Sequence, residues 1–137
     1  MFIVMIIVGV LFNSMNILAY RFNYLYFALT LFYCGLLMSS NMICAYDIVH
    51  YFSMGHFNIY LFIFGIILSI SISLLLLRQQ FEVTDKEWLK RMISHHSTAL
   101  TTSHKIKDRT KNERIKKLAR EIIETQEKEI TLMKSLL

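Results

Sequence analysis

Residues 59–77 read IYLFIFGIILSISISLLLL, a run without a single charged side chain. A helix of about 20 apolar residues spans the hydrocarbon core of a bilayer. Two further runs, Phe2–Tyr20 and Tyr24–Tyr46, are apolar, and Arg21 lies between them. In hydrocarbon each run must be helical, because a helix satisfies its own backbone hydrogen bonds. The sequence therefore predicts three transmembrane helices within residues 1–77.

Charge divides the chain into two parts. Before Arg78 only Arg21 and Asp47 are charged, whereas residues 78–137 contain the remaining 14 Lys/Arg and 9 Asp/Glu and hence the whole net charge of +5. This division indicates two solvents rather than one soluble core. We therefore expect a multi-pass protein of the cell (inner) membrane, in contact with lipid. Tyrosines lie near the expected span ends, where their rings favour the headgroup layer: Tyr20, Tyr24, Tyr26, Tyr46, Tyr51 and Tyr60.

The part from 78 to 137 is predicted to be a soluble helical hairpin. Thr84 followed by Glu87 matches a capping box, and apolar residues at steps of three and four predict helices over about 85–104 and 112–136. The basic stretch Lys105–Lys111 is the predicted turn.

Burial bears on the oligomeric state of this hairpin. Two helices alone leave much of each apolar stripe in water, so we expect a homodimer or higher oligomer in which two hairpins form a four-helix bundle. Packing on the membrane surface is the alternative. The basic residues near the turn favour anionic lipid as a partner, and no nucleic-acid recognition pattern accompanies them.

Met92, His95 and His96 share one face of the first tail helix, because they are spaced i, i+3 and i+4. A thioether with imidazoles suits copper, particularly Cu(I). A turn near Asp108 would place His95 opposite residues 121–122. The alternative interpretation is that the histidines are ordinary hydrogen-bonded or solvated residues.

Two motifs resemble the family known as domain of unknown function 305. They are Met92-Ile93-Ser94-His95-His96 with Ala99, and Leu118-Ala119-x-x-Ile122-Ile123-x-x-Gln126-x-x-Glu129-Ile130-x-x-Met133. The resemblance covers about Asp85–Leu137 and implies a ferritin-like bundle, with copper binding and tolerance in some members. The resemblance implies a role as metal ligands or supporting residues for six residues of this chain: Met92, His95, His96, Gln126, Glu129 and Met133. The family usually has proline where Ser94 stands.

The resemblance leaves the side of the membrane open. The loop between the second and third expected spans has no Lys or Arg, which places the tail in the cytoplasm. Family members secreted into the periplasm would place it outside. Our first hypothesis is a membrane-anchored protein of copper binding or tolerance. The alternative is a non-catalytic structural or assembly protein whose hairpin dimerises.

The membrane part offers a weaker set of soft ligands, which could line a copper path or simply fill gaps between helices. These residues are Cys34, Met38 and Met42, at steps of four, and His50, Met54 and His56 in the second loop. Catalysis is not indicated. No glutamate precedes a histidine by three residues, as a di-iron bundle requires, and the tail has no thiol nucleophile.

Overall fold

The computed structural model describes residues 2–137, and these residues contain helices and connections but no β-strand. This confirms the all-α prediction. A 3₁₀ turn, Phe22–Tyr24, precedes the third helix, and a π-helical stretch, Ile72–Arg78, extends the fourth. The α-helices are α1 (Phe2–Leu11), α2 (Ser14–Ile17), α3 (Leu29–Met54), α4 (Ile59–Ser71), α5 (Asp85–Arg109) and α6 (Glu113–Ser135).

The described chain divides into two compact units. The first, the span unit, comprises residues 2–13 and Leu29–Val83, and the second, the tail unit, comprises Ser14–Ala28 and Thr84–Leu137. The expected division into residues 1–77 and 78–137 differs mainly in Ser14–Ala28, which joins the tail.

Within residues 2–137, two helices, not three, are long and apolar enough to cross a membrane: α3 and the run Ile59–Arg78. The predicted first span, Phe2–Tyr20, is wrong as one helix, because α1 ends at Leu11. The side-chain amide of Asn13 donates to the Val10 carbonyl at 2.6 Å, and such short polar side chains compete with the helical backbone pattern.

The second span is displaced along the sequence. Helix α3 occupies Leu29–Met54 rather than Tyr24–Tyr46. It begins later because Tyr24 and Tyr26 pack against the tail helices. It continues through Asp47, whose side chain is only 3% exposed and whose Oδ1 accepts from the Asn58 N–H at 3.1 Å.

Small residues allow close packing within the span unit. A Cβ added at Gly35 of α3 would lie 2.9 Å from Val10 Cγ2 and 3.0 Å from the Ile6 carbonyl oxygen of α1. Between α3 and α4, the hydroxyls of Ser40 and Ser69 are 2.8 Å apart. Small residues and hydroxyl pairs of this kind are typical of helix contacts in membranes.

The tail unit contains the predicted hairpin of α5 and α6, and Thr84 caps α5 by accepting from the Glu87 N–H at 3.4 Å. The turn prediction, Lys105–Lys111, is wrong in position, because α5 continues to Arg109 and Asn112 already caps α6. Residues 105–109 contain no glycine or proline, and Lys and Arg favour the last turn of a helix. The buried core of the hairpin consists of Leu89, Ile93, Leu100, Ile130 and Met133.

Ser14–Ala28, which we call the strap, packs on α5. The Tyr20 N–H donates to Ser97 Oγ at 2.7 Å, and Ser94 Oγ donates to the Tyr24 carbonyl at 3.0 Å. The Tyr20 ring stacks on His104 with a centroid distance of 4.9 Å. The strap thus covers part of the hairpin surface that we expected a second copy of the chain to cover. Tyr20 and Tyr24 were expected to lie in the headgroup layer of the membrane, but they contact the hairpin instead.

Candidate metal-binding face of the hairpin

His95 and His96 lie side by side on α5, with ring centroids 5.9 Å apart. Their surroundings differ, because consecutive residues on a helix point about 100° apart. His95 is exposed. The His96 side chain is only 14% exposed and faces α6. The helix therefore turns one imidazole inward and leaves the other at the surface.

Glu129 of α6 is the charged neighbour of His96. Its Oε2 lies 3.0 Å from His96 Nδ1, although Nδ1 makes no hydrogen bond of good geometry. Gln126 Nε2 donates to the same oxygen at 3.3 Å. The later turn accounts for this pairing, since it places His96 opposite Glu129 instead of placing His95 opposite residues 121–122.

Burial lowers the pKa of His96 from its ordinary value of 6.5. Desolvation of the charged imidazolium is the largest cause, and the neighbouring His95 adds to it. Glu129 acts in the opposite direction but does not reverse the shift. His96 is therefore mainly neutral at pH 7, which is the form of imidazole that binds metal ions.

The two methionines lie in different surroundings from the imidazoles. Met133 is part of the buried core, and Met92 packs, partly buried, against that core. Among residues 2–137, no group of three or more His, Cys, Asp or Glu side chains is placed to hold a metal ion. The structure thus brings together His95, His96, Gln126 and Glu129, while the Met133 thioether lies among aliphatic side chains.

Ser94 and Ser97 were not predicted to have a role. Both are buried, and both hydrogen-bond to the strap. A signal was present in the sequence, because Ser94 and Ser97 place small hydroxyl side chains at i and i+3, on one face of α5. The Ser94 hydroxyl links α5 to the strap by donating to the Tyr24 carbonyl.

The candidates in the span unit divide between two open cavities. Cys34, Met38 and Met42 line one of about 410 Å³ on α3. His50 and His56 line another, of about 550 Å³, beside the turn between α3 and α4. Met54 is exposed, and its backbone carbonyl accepts a hydrogen bond from His56 Nδ1 at 3.0 Å.

Asp47 also lines the cavity that contains His50 and His56. Asp47 was not predicted to be a site residue. Its isolation was the available signal, because it is the only charged residue between Arg21 and Arg78.

Sequence comparisons connect both units to known proteins. The chain is 39% identical over 125 residues to Uncharacterized protein L153 of Acanthamoeba polyphaga mimivirus, covering 91% of this chain and 81% of that protein. No solved structure gives a significant match. The family described as "Domain of unknown function (DUF305)" matches residues 74–137, which include α5, α6 and the face just described. The chain therefore belongs to the DUF305 family.

Proposed function

We propose that this protein is a membrane-anchored metal-binding protein whose hairpin binds a copper ion at His95 and His96, with Met92 as a soft ligand. The observation that carries the proposal is the inward-facing His96 with Glu129 behind it. A metal-bound imidazole commonly donates its other ring N–H to a carboxylate, which fixes the ring orientation. With Nδ1 facing Glu129, the Nε2 lone pair of His96 is the one available to a metal.

Copper is the proposed ion because of the residue types on this face. Imidazole binds copper in both oxidation states found in proteins, and thioethers favour Cu(I). Met92 is one helical turn from His95 and His96, so a change of its side-chain rotamer could bring sulfur to the ion. Glu129 and Gln126 then act as positioning residues. Met133 supports the face through the core beneath it.

We propose that α3 and the run Ile59–Arg78 anchor the protein in a membrane, and the exposed apolar surface of Ile59–Arg78 supports this. Its most apolar stretch has a mean hydropathy of 2.6, yet only 11% of that stretch is buried inside the protein. A core helix of a soluble protein would be largely covered, whereas bare apolar surface of this extent is stable in hydrocarbon. The strap and the hairpin belong to one unit, so they would lie on one side of the membrane.

Copper binding can be tested on the full chain in detergent micelles. Competition for Cu(I) against a coloured chelator should give an affinity that falls by at least about tenfold in His95→Gln/His96→Gln, because both imidazoles are lost. Glu129→Gln should weaken binding by about 10–100-fold, as loss of an orienting partner does at other metal sites.

His104→Gln is the matched control, because His104 lies on the same helix but stacks against Tyr20 of the strap. This variant should bind copper as the unaltered chain does. Equal binding by the unaltered chain and His95→Gln/His96→Gln would overturn the proposal.

A second candidate function, assembly through the hairpin, is favoured by exposed apolar side chains. Trp88 of α5 and Leu118 and Leu132 of α6 are each at least half exposed. Large apolar residues in such positions are typical of surfaces that bind another protein. We infer that a second copy could pack here. Light scattering on the micellar protein should then give a dimer that Leu118→Gln converts to monomer, and a monomeric unaltered chain would contradict assembly.

A further inference from the structure

The turn between α3 and α4 places three side chains of metal-ligating type beside one cavity. Helix α3 ends at Met54, and α4 begins at Ile59 after the Asn58 cap. The cavity there, about 550 Å³, is lined by Asp47, His50 and His56. It belongs to the span unit, so it is separate from the hairpin face.

Backbone contacts fix the tautomer of both histidines. Nδ1 of His50 lies 3.2 Å from the His56 carbonyl oxygen, and Nδ1 of His56 lies 3.0 Å from the Met54 carbonyl oxygen. A carbonyl oxygen only accepts, so in each neutral ring Nδ1 carries the proton and Nε2 carries the lone pair. Imidazoles that bind metals through Nε2 are held in this way, by donation of Nδ1–H to a backbone carbonyl.

Asp47 adds a buried carboxyl group to the wall of the cavity. Its Oδ1 accepts from the Asn58 N–H, but its Oδ2 is buried and has no hydrogen-bond partner. No Lys or Arg lies within residues 22–77. A buried carboxylate without a partner is unfavourable unless a cation or a proton compensates it.

The spacing of the two rings suits one shared ion. Their centroids are 6.5 Å apart, with planes at 78°. Two imidazoles on one ion at the usual metal–nitrogen distance of about 2.0–2.1 Å have centroids about 5 Å apart in tetrahedral geometry and a little over 6 Å apart in linear geometry. The observed centroid separation of 6.5 Å is close to the upper end of this range.

We propose that His50 and His56 bind one divalent transition-metal ion, of which Zn²⁺ is the test case, through their Nε2 atoms, with Asp47 compensating its charge. Asp47 does not complete a three-residue ligand set as the side chains stand, so water fills the remaining coordination positions. This site is independent of the proposed copper face, because the two share no residue.

The site can be tested by carbethoxylation of histidine with diethyl pyrocarbonate, followed by peptide mass spectrometry, on the full chain in micelles. Zn²⁺ should slow modification of His50 and His56 by at least about tenfold, because a bound Nε2 cannot react. His56→Gln should abolish the protection of His50. Unchanged modification rates of both histidines in saturating Zn²⁺ would overturn the proposal.

Equilibrium dialysis with Zn²⁺ gives the stoichiometry and tests Asp47. His50→Gln/His56→Gln should lose one equivalent of zinc, and Asp47→Asn, which keeps an oxygen for the Asn58 N–H, should weaken binding about 10–100-fold. Tyr60→Phe, in the same cavity wall, is the matched control and should leave binding unchanged. An unchanged stoichiometry in the double histidine variant would also refute the site.

The two metal proposals fail separately. His95→Gln/His96→Gln should leave the zinc protection of His50 and His56 intact. Loss of that protection in the hairpin variant would show that the turn does not bind zinc by itself and would overturn this proposal, whereas loss of copper binding alone concerns only the hairpin face.

Discussion

The attachment of the strap to α5 can be tested at Ser97. This side chain is completely buried, and its hydroxyl accepts the Tyr20 N–H at 2.7 Å. Ser97→Ala leaves that N–H without a partner, at a cost of about 1–3 kcal/mol. Alanine recovers about 0.5 kcal/mol because it favours the helix more than serine does. The net loss, about 0.5–2.5 kcal/mol, corresponds to a factor of about 2–70 in the opening equilibrium of the strap.

Hydrogen exchange measured by mass spectrometry on the full chain in micelles reports that equilibrium by segment. In Ser97→Ala, peptides covering Ser14–Ala28 should exchange about 2–70-fold faster, while peptides within α3 should be unaffected. Thr102→Ala is the matched control, because the Thr102 hydroxyl bonds only carbonyls of its own helix. Strap exchange that is the same in Ser97→Ala and Thr102→Ala would refute the argument that α5 holds the strap.

Three further predictions concern the tail core, its pH dependence and the span unit. Leu100→Ala removes a fully buried side chain and should lower the free energy of unfolding of the tail unit by about 2–5 kcal/mol, seen as faster exchange in α5 and α6. Because the pKa of folded His96 lies below 6.5, the unfolded chain takes up the proton first as pH falls. The stability of the tail unit should therefore decrease as pH drops from 6.5 toward the lowered pKa, and His96→Gln should remove this component of a pH series of exchange measurements. Gly35→Ala introduces a Cβ 3.0 Å from the Ile6 carbonyl oxygen and should destabilise α1 packing by about 1–3 kcal/mol; protection of α1 equal to that of the unaltered chain would contradict this.

The sequence predicted those elements whose signal is local. The Thr84 cap and the apolar stripes define the hairpin, and the uncharged run from Ile59 defines the second helix that is long and apolar enough to cross a membrane. The failures involve contacts between distant parts of the chain. Hydropathy alone could not divide Phe2–Tyr20 after Leu11, because the second half of that run is stabilised by α5.

The residues of the candidate site were predicted from the sequence, but the contact between His96 of α5 and Glu129 of α6 was not. Helical spacing places His95 and His96 on adjacent positions of α5, but the inward choice of His96 depends on how α5 rotates against α6. The pairing of His96 with Glu129 depends on the position of the turn between α5 and α6. The basic stretch after His104 was wrongly predicted to be that turn. Asp47 was not predicted to be a site residue, because one charged residue near the end of an apolar run more often marks the end of a membrane span than a buried group.

Tyr20 and Ser97 are 77 residues apart in the chain. The ribosome releases the strap long before its binding surface on α5 exists, since chains emerge from their N-terminus. During that interval the Tyr20 and Tyr24 rings have no final partner, and the tail unit cannot finish folding until α3, α4, α5 and α6 have been synthesised. A fragment that begins after α4 would lack the strap, so biochemistry on the separated hairpin would describe a surface that the whole protein keeps covered.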